Sequence, residues 1–157
     1  VKTTEIQSDN LEKIAKASVT EAFGKCRLPL IVEDAGLFVE ELNGFPGPYA
    51  AYVYKTIGNK GLLWLMKHVE KREAEFRSVV AYYSADFNSP ICFEGEVIGE
   101  ITKEEKRGGN KHLFGFDPIF KPTKSDKTFA EMCVAEKNKY SHRAKAMRRF
   151  AEWYKKL

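Results

Sequence analysis

The stretch from residue 91 to residue 101 most constrains the fold, because apolar and acidic side chains alternate along it. The apolar residues lie at odd-numbered positions and the acids at even-numbered positions: Ile91, Phe93, Val97 and Ile101, and Glu94, Glu96 and Glu100. Successive side chains of a β-strand point to opposite faces, so one set faces a core and the other faces water. The pattern predicts a half-exposed antiparallel strand.

Elements of both kinds are predicted in the first part of the chain. Asp9 or Asn10 can cap a first helix, and Gly24 suits the end of that helix. The apolar run from Pro29 to Val39 is interrupted at positions 33–36 by two acids, an alanine and a glycine. We therefore expect a buried strand, a break, and a further extended piece over this run.

The rest of the chain is also predicted to contain both helices and strands. Turn residues fill positions 43–48, a short apolar helix is predicted over Gly61–Val69, and β-branched and aromatic residues predict a strand over Ala74–Tyr83. A loop is expected over Arg107–Lys111, and Ser141 begins the final helix. Because helices and strands mix without a strict βαβ repeat, the predicted fold class is α/β with a mixed sheet.

Composition limits the class of protein. A chain of 157 residues, with 43% hydrophobic and 31% charged residues, can form a single domain with a real core. No apolar run approaches the roughly 20 residues of a bilayer span, so no membrane partner is expected. Three widely spaced cysteines form no metal-spaced pair, which indicates reduced thiols in a cytoplasmic protein. Much of the net charge of +4 lies after residue 136, where it can attract nucleic acid or a polyphosphate, or simply form a solvated helix face.

Two adjacent acids close the apolar run. Glu33 and Asp34 are costly to bury without partners, and adjacent strand residues point to opposite faces. We prefer Asp34 for a ligand cleft, because Ala35 and the glycine after it leave room for a ligand; capping of a turn is the alternative. Glu5 alone would be an ordinary solvated residue. If Glu5 and Asp34 converge, they form a hard oxygen site of the kind that Mg²⁺ uses with substrate phosphates.

Two motifs near the C-terminus supply the chemistry for holding a planar, carbonyl-bearing ring such as a nucleobase. Phe114–Pro118 offers two aromatic rings, a glycine turn and an acid, and one ring can stack on a base. A pair of core phenylalanines is the alternative for this motif. Ser141–Arg143 places His and Arg at a helix N-terminus, where the helix dipole disfavours cations, and Lys137 lies just before it. That placement indicates ligand binding rather than stability.

Five motifs follow one another along the chain. They are Glu5–Gln7, Glu33–Leu37, Gly44–Tyr49, Phe114–Phe120, and Lys137 with Ser141–Arg143. Together they closely resemble the inosine triphosphate pyrophosphatase family, and in particular its archaeal branch, over essentially the whole chain. The resemblance implies a mixed, curved central sheet flanked by helices, with a nucleotide cleft between two lobes. It also implies hydrolysis of ITP, dITP and XTP to the monophosphate and pyrophosphate, with Mg²⁺ as the cofactor.

The resemblance also implies roles for individual residues. Asp34 matches the general base for the attacking water and one metal-binding acid, and Glu5 matches the other metal-binding acid. The substrate-binding positions follow the motifs: Ala35, Phe114, Gly115, Phe116, Asp117, Lys137, His142 and Arg143. Phe116 would stack on the base, while His142 and Arg143 would donate to the 6-keto group of hypoxanthine or xanthine, which adenine lacks. The family further implies a small-molecule nucleotide partner and a homodimer, not a nucleic acid.

One departure from the family concerns the N-terminus. The family opens with a strand and a Thr/Ser-x-Asn-x-x-Lys loop that grips the phosphates, and neither precedes Val1. We therefore expect a single pyrophosphatase domain over residues 1–157 that lacks this strand and loop. Two alternatives stay open. One is a Maf-like nucleotide pyrophosphatase, against which Ser141–Arg143 argues, and the other is a catalytically impaired nucleotide- or nucleic-acid-binding module.

Overall fold

The structure is a computed structural model that describes residues 1–109 and 114–157. The end of the loop expected over Arg107–Lys111 therefore lies outside the described residues. The helices and strands of the described part are α1 (Leu11–Cys26), β1 (Leu30–Val39), β2 (Pro46–Gly47), α2 (Ala50–Thr56), α3 (Gly58–Leu65), β3 (Glu73–Tyr83), β4 (Ile91–Ile101), β5 (Phe120–Pro122), α4 (Val134–Tyr140) and α5 (His142–Tyr154). The predicted α/β class, with a sheet and flanking helices, is confirmed.

The strands form one five-stranded sheet with the order β2-β1-β3-β4-β5. β1 and β2 are antiparallel, with Leu37 opposite Gly47. β4 and β5 are also antiparallel, with Gly99 opposite Pro122. The two short strands, β2 and β5, therefore lie at the edges of the sheet, which limits the backbone that is open to unwanted pairing.

The alternating strand predicted from the sequence is β4, and its bounds match the predicted stretch. Val97 and Ile101 are buried, whereas Glu96 and Glu100 are exposed. The prediction of a half-exposed strand is therefore confirmed.

The first helix begins as expected but ends later. Asn10 is the N-cap of α1, and its side chain accepts a hydrogen bond from the backbone N–H of Lys13 at 3.0 Å. The end expected at Gly24 is wrong, because the helix continues through Cys26. Arg27 closes the helix with a φ of 57°, in the left-handed conformation that a glycine often supplies.

The break expected after the first strand is also wrong, because β1 runs on without interruption. Its acids do not have to leave the strand, since Glu33 accepts hydrogen bonds from Ser78 and Arg143. Gly36 is required by packing rather than by a turn. A Cβ at this position would lie 2.6 Å from the carbonyl oxygen of Gly47 on β2.

The later elements agree with the predictions more closely. The strand predicted over Ala74–Tyr83 is β3, and the short helix is α3, which lies a few residues earlier than predicted. The final helix begins at His142, directly after Ser141. The seven-residue helices α2 and α4 were not predicted, because neither is long enough to show a clear apolar period.

The chain divides into two compact units: Val1–Ala35, Arg77–Glu96 and His142–Leu157 form the first, and Gly36–Phe76 and Val97–Ser141 form the second. The first unit packs α1 through its apolar face and carries a cluster of rings that includes Tyr82, Phe93, Phe150 and Trp153. The second unit has its own core, with large buried side chains that include Leu37, Leu62, Met66, Ile101, Phe120 and Phe129. Among the helices of the described part, none has the length and apolar character needed to cross a membrane.

Candidate functional site

Asp34 lies half-buried on β1, in the first unit. Burial, followed by the negative charges of Glu5 and Glu33, raises the pKa of the Asp34 carboxyl from its ordinary value to about 6. A raised pKa means that this environment disfavours the charged carboxylate. The charge of Glu5 acts on Asp34, as expected if the two acids converge. Their roles in catalysis and metal binding stay predictions.

Glu33, the neighbour of Asp34, is held by two donors in the same unit. The hydroxyl of Ser78 donates to its Oε1 atom at 2.7 Å, and Nε of Arg143 donates to the same atom at 3.0 Å. Ser78 is fully buried, so this hydrogen bond is shielded from water. Glu33 is therefore the compensated acid of the adjacent pair, and the preference for Asp34 as the acid of a ligand cleft stays a prediction.

A divalent cation fits these acids electrostatically, because it would relieve the repulsion that raises the pKa of Asp34. The described residues nevertheless hold no group of three or more His, Cys, Asp and Glu side chains arranged to bind a metal ion. Mg²⁺ is commonly bound through one or two carboxylates together with substrate phosphates and water. Glu5 and Asp34 thus fit the share of a Mg²⁺ site that a protein supplies when a nucleotide completes it.

The start of α5 belongs to the first unit and contains the predicted donors. Ser141, the residue before the helix, and His142 are both buried, with 4% and 5% of their surface exposed. The side chain of Arg143 is 43% exposed and forms an ion pair with Glu33. Donation from His142 and Arg143 to a keto group stays a prediction, and Arg143 is oriented by Glu33 in the structure.

Gly95 on β4 allows the backbone of α5 to pack closely against this strand. A Cβ on Gly95 would lie 2.1 Å from the carbonyl oxygen of His142 and 2.5 Å from the backbone nitrogen of Ala146. Two long cations attach the helix to the same strand. Lys145 donates to the carbonyl of Glu96 at 2.7 Å, and Arg149 donates to the carbonyl of Glu94 at 2.6 Å. The first turn of α5 is therefore fixed by packing that no other residue type at position 95 would permit.

The second unit contains the turn that joins Phe114 to Asp117. Asp117 accepts a hydrogen bond from the backbone N–H of Phe114 at 3.0 Å, and its own N–H donates to the carbonyl of Phe114 at 2.9 Å. Gly115 lies between them with a φ of 43°, which few side chains tolerate. The prediction of a tight glycine turn at this motif is confirmed.

Lys137 is bound to the same turn through a buried ion pair. Its Nζ atom donates to Oδ2 of Asp117 at 2.6 Å, and the two side chains are 13% and 3% exposed. The ammonium group also lies 5.1 Å from the ring centre of Phe114 and 5.3 Å from that of Phe129. Cations over aromatic faces are attracted to the ring, so a carboxylate and two rings together fix the position of Lys137.

The two phenylalanines of the motif have different environments. Phe116 is 3% exposed and belongs to the core of the second unit, with its ring in an edge-on contact with Tyr54 at 5.4 Å. Phe114 is 59% exposed. Stacking of Phe116 on a base stays a prediction, whereas Phe114 is the ring of this motif with an accessible surface.

Sequence reasoning brought together the right motifs but missed several of their partners. It did not pair Lys137 with Asp117, or Arg143 with Glu33, because these pairs are 20 and 110 residues apart. It also missed Asn59, which donates to the carbonyl of Gly115 at 3.3 Å from 56 residues away. No local pattern marks such contacts, since they depend on the tertiary fold.

Comparison with known proteins identifies the family. The family model described as the Ham1 family matches residues 1–153. The chain belongs to the Ham1 family. This match covers both units and every motif that carried the resemblance described above.

Archaeal relatives of this Ham1 protein are similar along nearly all of it. A protein of Methanopyrus kandleri named dITP/XTP pyrophosphatase is 54% identical over 151 residues, which are 96% of this chain and 78% of that protein. A protein of Hyperthermus butylicus with the same name is 51% identical over 149 residues, 95% of this chain and 76% of that protein. The predicted likeness to archaeal members is confirmed.

Solved structures agree with the fold of this Ham1 protein. The Ham1 protein of Staphylococcus aureus matches with a TM-score of 0.87 at 29% identity, over 99% of this chain and 81% of that one. A HAM1 protein from Coxiella burnetii matches with a TM-score of 0.86 at 27% identity, over 98% of this chain and 82% of that one. The α/β architecture is therefore that of known Ham1 proteins.

Proposed function

We propose that this Ham1 protein hydrolyses the non-standard purine nucleotides ITP, dITP and XTP to the monophosphate and pyrophosphate, and so removes them from the nucleotide pool. One observation carries the proposal: the chain is 54% identical, over 96% of its length, to a protein named dITP/XTP pyrophosphatase. The alternative of a catalytically impaired binding module has no comparable support.

Asp34 is the general base in this proposal. Its carboxylate accepts a proton from a water molecule, and the water oxygen attacks the α-phosphorus of the triphosphate. The anhydride bond between the α- and β-phosphates breaks, and pyrophosphate leaves with the bonding electrons. In the protein without metal the pKa of Asp34 is about 6, so the carboxyl is mostly deprotonated above neutral pH and can accept a proton.

Ham1 pyrophosphatases generally depend on a divalent metal ion, and we propose Mg²⁺ for this chain. Glu5 and Asp34 are the acids that would hold it, because the pKa of Asp34 is raised by burial and by the charge of Glu5. The cation, when bound, supplies charge neutralisation for the phosphates and for the departing pyrophosphate. The protein's own contribution is to keep the two acids close enough to interact.

Recognition of the nucleotide is assigned to the remaining predicted residues: Ala35, Phe114, Gly115, Phe116, Asp117, Lys137, His142 and Arg143. A hydrogen-bond donor near the purine 6-position is satisfied by a keto oxygen, but faces an amino group when the base is adenine. A buried donor left without an acceptor costs about 1–3 kcal/mol, so a few such donors reject ATP strongly. The exposed ring of Phe114 and the fixed ammonium of Lys137 support a contact with the nucleotide.

The other expectations remain part of the proposal. We propose a single pyrophosphatase domain over the chain, a homodimer, and action in the cytoplasm on small-molecule nucleotides rather than on nucleic acid. Exposed aromatic side chains around α2 and α3 support a protein partner such as a second copy: Tyr49, Tyr52, Tyr54 and Trp64.

The test is release of pyrophosphate from ITP and from ATP, each measured with Mg²⁺ and then with excess EDTA. We expect release from ITP that requires Mg²⁺ and a rate with ATP that is at least about a hundredfold lower, as several unsatisfied donors would produce. Binding of ITP without any release of pyrophosphate would overturn the enzymatic proposal. Equal rates with ITP and ATP would overturn the assigned specificity.

A further inference from the structure

Asn59 is a buried polar residue next to the Phe114–Asp117 turn. It lies in the first turn of α3, in the second unit, and is 5% exposed. Its Nδ2 atom donates to the carbonyl of Gly115 at 3.3 Å. Its Oδ1 atom is also buried and has no hydrogen-bond partner among the described residues.

Packing alone does not explain an amide at this position. A buried polar atom without a partner destabilises the fold, and most buried polar atoms are therefore bonded. Leu62, one turn further along α3, is fully buried and apolar, so this side of the helix accepts apolar side chains. An apolar residue at position 59 would avoid the unsatisfied oxygen. An apolar residue would also lose the hydrogen bond to Gly115, which is the contact that only the amide supplies.

The bond from Asn59 restrains the most adaptable point of the turn. Gly115 can change its backbone angles more freely than any other residue type, and here it has a positive φ. The carboxylate of Asp117 holds the N–H of Phe114, whereas Asn59 holds the carbonyl of Gly115. The two side chains therefore fix the peptide groups on both sides of the Phe114–Gly115 bond, and with them the direction of the exposed Phe114 ring.

We propose that Asn59 is a positioning residue for nucleotide recognition, which acts by holding the Gly115 carbonyl and so presenting the Phe114 ring to the base. This inference rests on the proposed function, because the ligand of the ring is taken to be a purine. Asn59 makes no contact with the substrate in this account. Its effect passes through the turn, and it should therefore influence binding more than chemistry.

The first experiment measures KM and kcat for ITP hydrolysis with Mg²⁺ in Asn59→Ala and Asn59→Asp. We expect KM to rise about five- to tenfold and kcat to stay within about twofold, because loss of a contact present in both ground and transition states changes binding alone. Asn59→Asp keeps the size of the side chain but replaces the donor with an acceptor. It should therefore be at least as impaired as Asn59→Ala.

A second readout does not depend on activity. Amide hydrogen exchange in a peptide covering residues 114–122 should become at least about fivefold faster in Asn59→Ala. The matched control is Leu62→Val, a change in the same helix that lowers stability without removing a hydrogen bond to the turn. It should lower the melting temperature, leave KM unchanged, and leave exchange in this peptide no faster than elsewhere in the unit.

The outcomes separate this inference from the proposed function. Unchanged exchange in residues 114–122 of Asn59→Ala would overturn the role of Asn59, as would a wild-type KM in that variant. An equal rise of KM in Leu62→Val would also overturn it, because general destabilisation would then explain the effect. Failure of the wild-type protein to hydrolyse ITP would overturn the proposed function, while faster exchange in Asn59→Ala would still support restraint of the turn.

Discussion

The two compact units handle buried charge in opposite ways. In the first unit, Asp34 lies near the like charges of Glu5 and Glu33, and the pKa of its carboxyl is raised to about 6. In the second unit, the buried carboxylate of Asp117 is paired at 2.6 Å with the ammonium of Lys137. The carboxylates around Asp34 repel one another, whereas the charges of Asp117 and Lys137 cancel within the protein.

This difference indicates what each cluster needs from outside the chain. Like charges held together in a half-buried place cost stability, and proteins retain them mainly where a ligand or a reaction uses them. In the proposed function, a divalent cation completes the acids of the first unit. The second unit needs no added charge, because Asp117 is already paired with Lys137. We therefore expect substitution of Asp34 in the first unit to affect chemistry, and substitution of the Asp117 pair in the second unit to affect stability and recognition.

The largest expected effect is loss of turnover in Asp34→Asn. An amide cannot accept the proton of the attacking water, so kcat for ITP should fall by about a thousandfold or more, as is common when a general base is removed. Binding of ITP, measured by calorimetry, should persist. The control is Asp126→Asn, which removes an exposed acid of the second unit and should leave kcat unchanged. Near-normal turnover in Asp34→Asn would show that Asp34 is not the base.

The second effect concerns the buried ion pair of the second unit. Asp117→Asn leaves the Lys137 ammonium without its counter-charge and should lower the free energy of unfolding by about 3–5 kcal/mol. Denaturant unfolding followed by circular dichroism measures the change. Glu136→Gln is the matched control, because it breaks the exposed pair with Lys127 at 3.3 Å and should cost less than about 1 kcal/mol. Equal losses in the two variants would contradict the claim that Asp117 is a buried charge that depends on its partner.

A smaller effect is expected where α5 meets β4. Gly95→Ala places a Cβ against backbone atoms of His142 and Ala146, which cannot move as a side-chain tip could, and should cost about 1–3 kcal/mol. Gly24→Ala is the opposite case, since Gly24 lies within α1 and has nothing within 4 Å of the added Cβ. It should stabilise the protein by about 0.5–1 kcal/mol. Losses of stability of similar size in the two variants would show that the packing of α5 does not require a glycine at position 95.

The smallest effect is a gain of stability in metal-free Asp34→Asn. Because the folded pKa of Asp34 is raised, its stabilising contribution is complete below the unfolded value near 4 and is lost as pH rises through about 6. At pH 7.5 in EDTA the charged carboxylate therefore costs stability, and its removal should add on the order of 1 kcal/mol after allowance for solvent screening. At pH 4 the gain should disappear. A loss of stability at pH 7.5 would contradict repulsion among these acids.

The sequence predicted best where the pattern was local. The alternation along β4 and the cap at Asn10 each depend on residues a few positions apart, and both are present in the structure. The expected break near Glu33 was wrong because the cost of burying an acid was counted without its partner. Arg143 and Ser78 satisfy Glu33 across long separations, so the strand continues.

The candidate site was predictable only as a set of residue types. Family motifs named Asp34, Lys137 and Arg143, but they did not show that Arg143 is paired with Glu33 or that Lys137 is paired with an acid of its own turn. Asn59 belongs to no recognised motif, and only the fold places it beside Gly115. Local pattern thus gives the elements, whereas partners distant in sequence decide which side chains are neutralised and which are left charged.

The most direct test of the proposed function is NMR of an equimolar mixture of ITP and ATP incubated with the wild-type protein and Mg²⁺, in which the ³¹P signals identify the phosphate products and the ¹H signals of the bases distinguish the two nucleotides. We predict equal amounts of inosine monophosphate and pyrophosphate, with ATP left essentially intact, and no products in the presence of EDTA or with Asp34→Asn. Formation of inosine diphosphate and inorganic phosphate, or consumption of ATP at the same rate as ITP, would contradict that function.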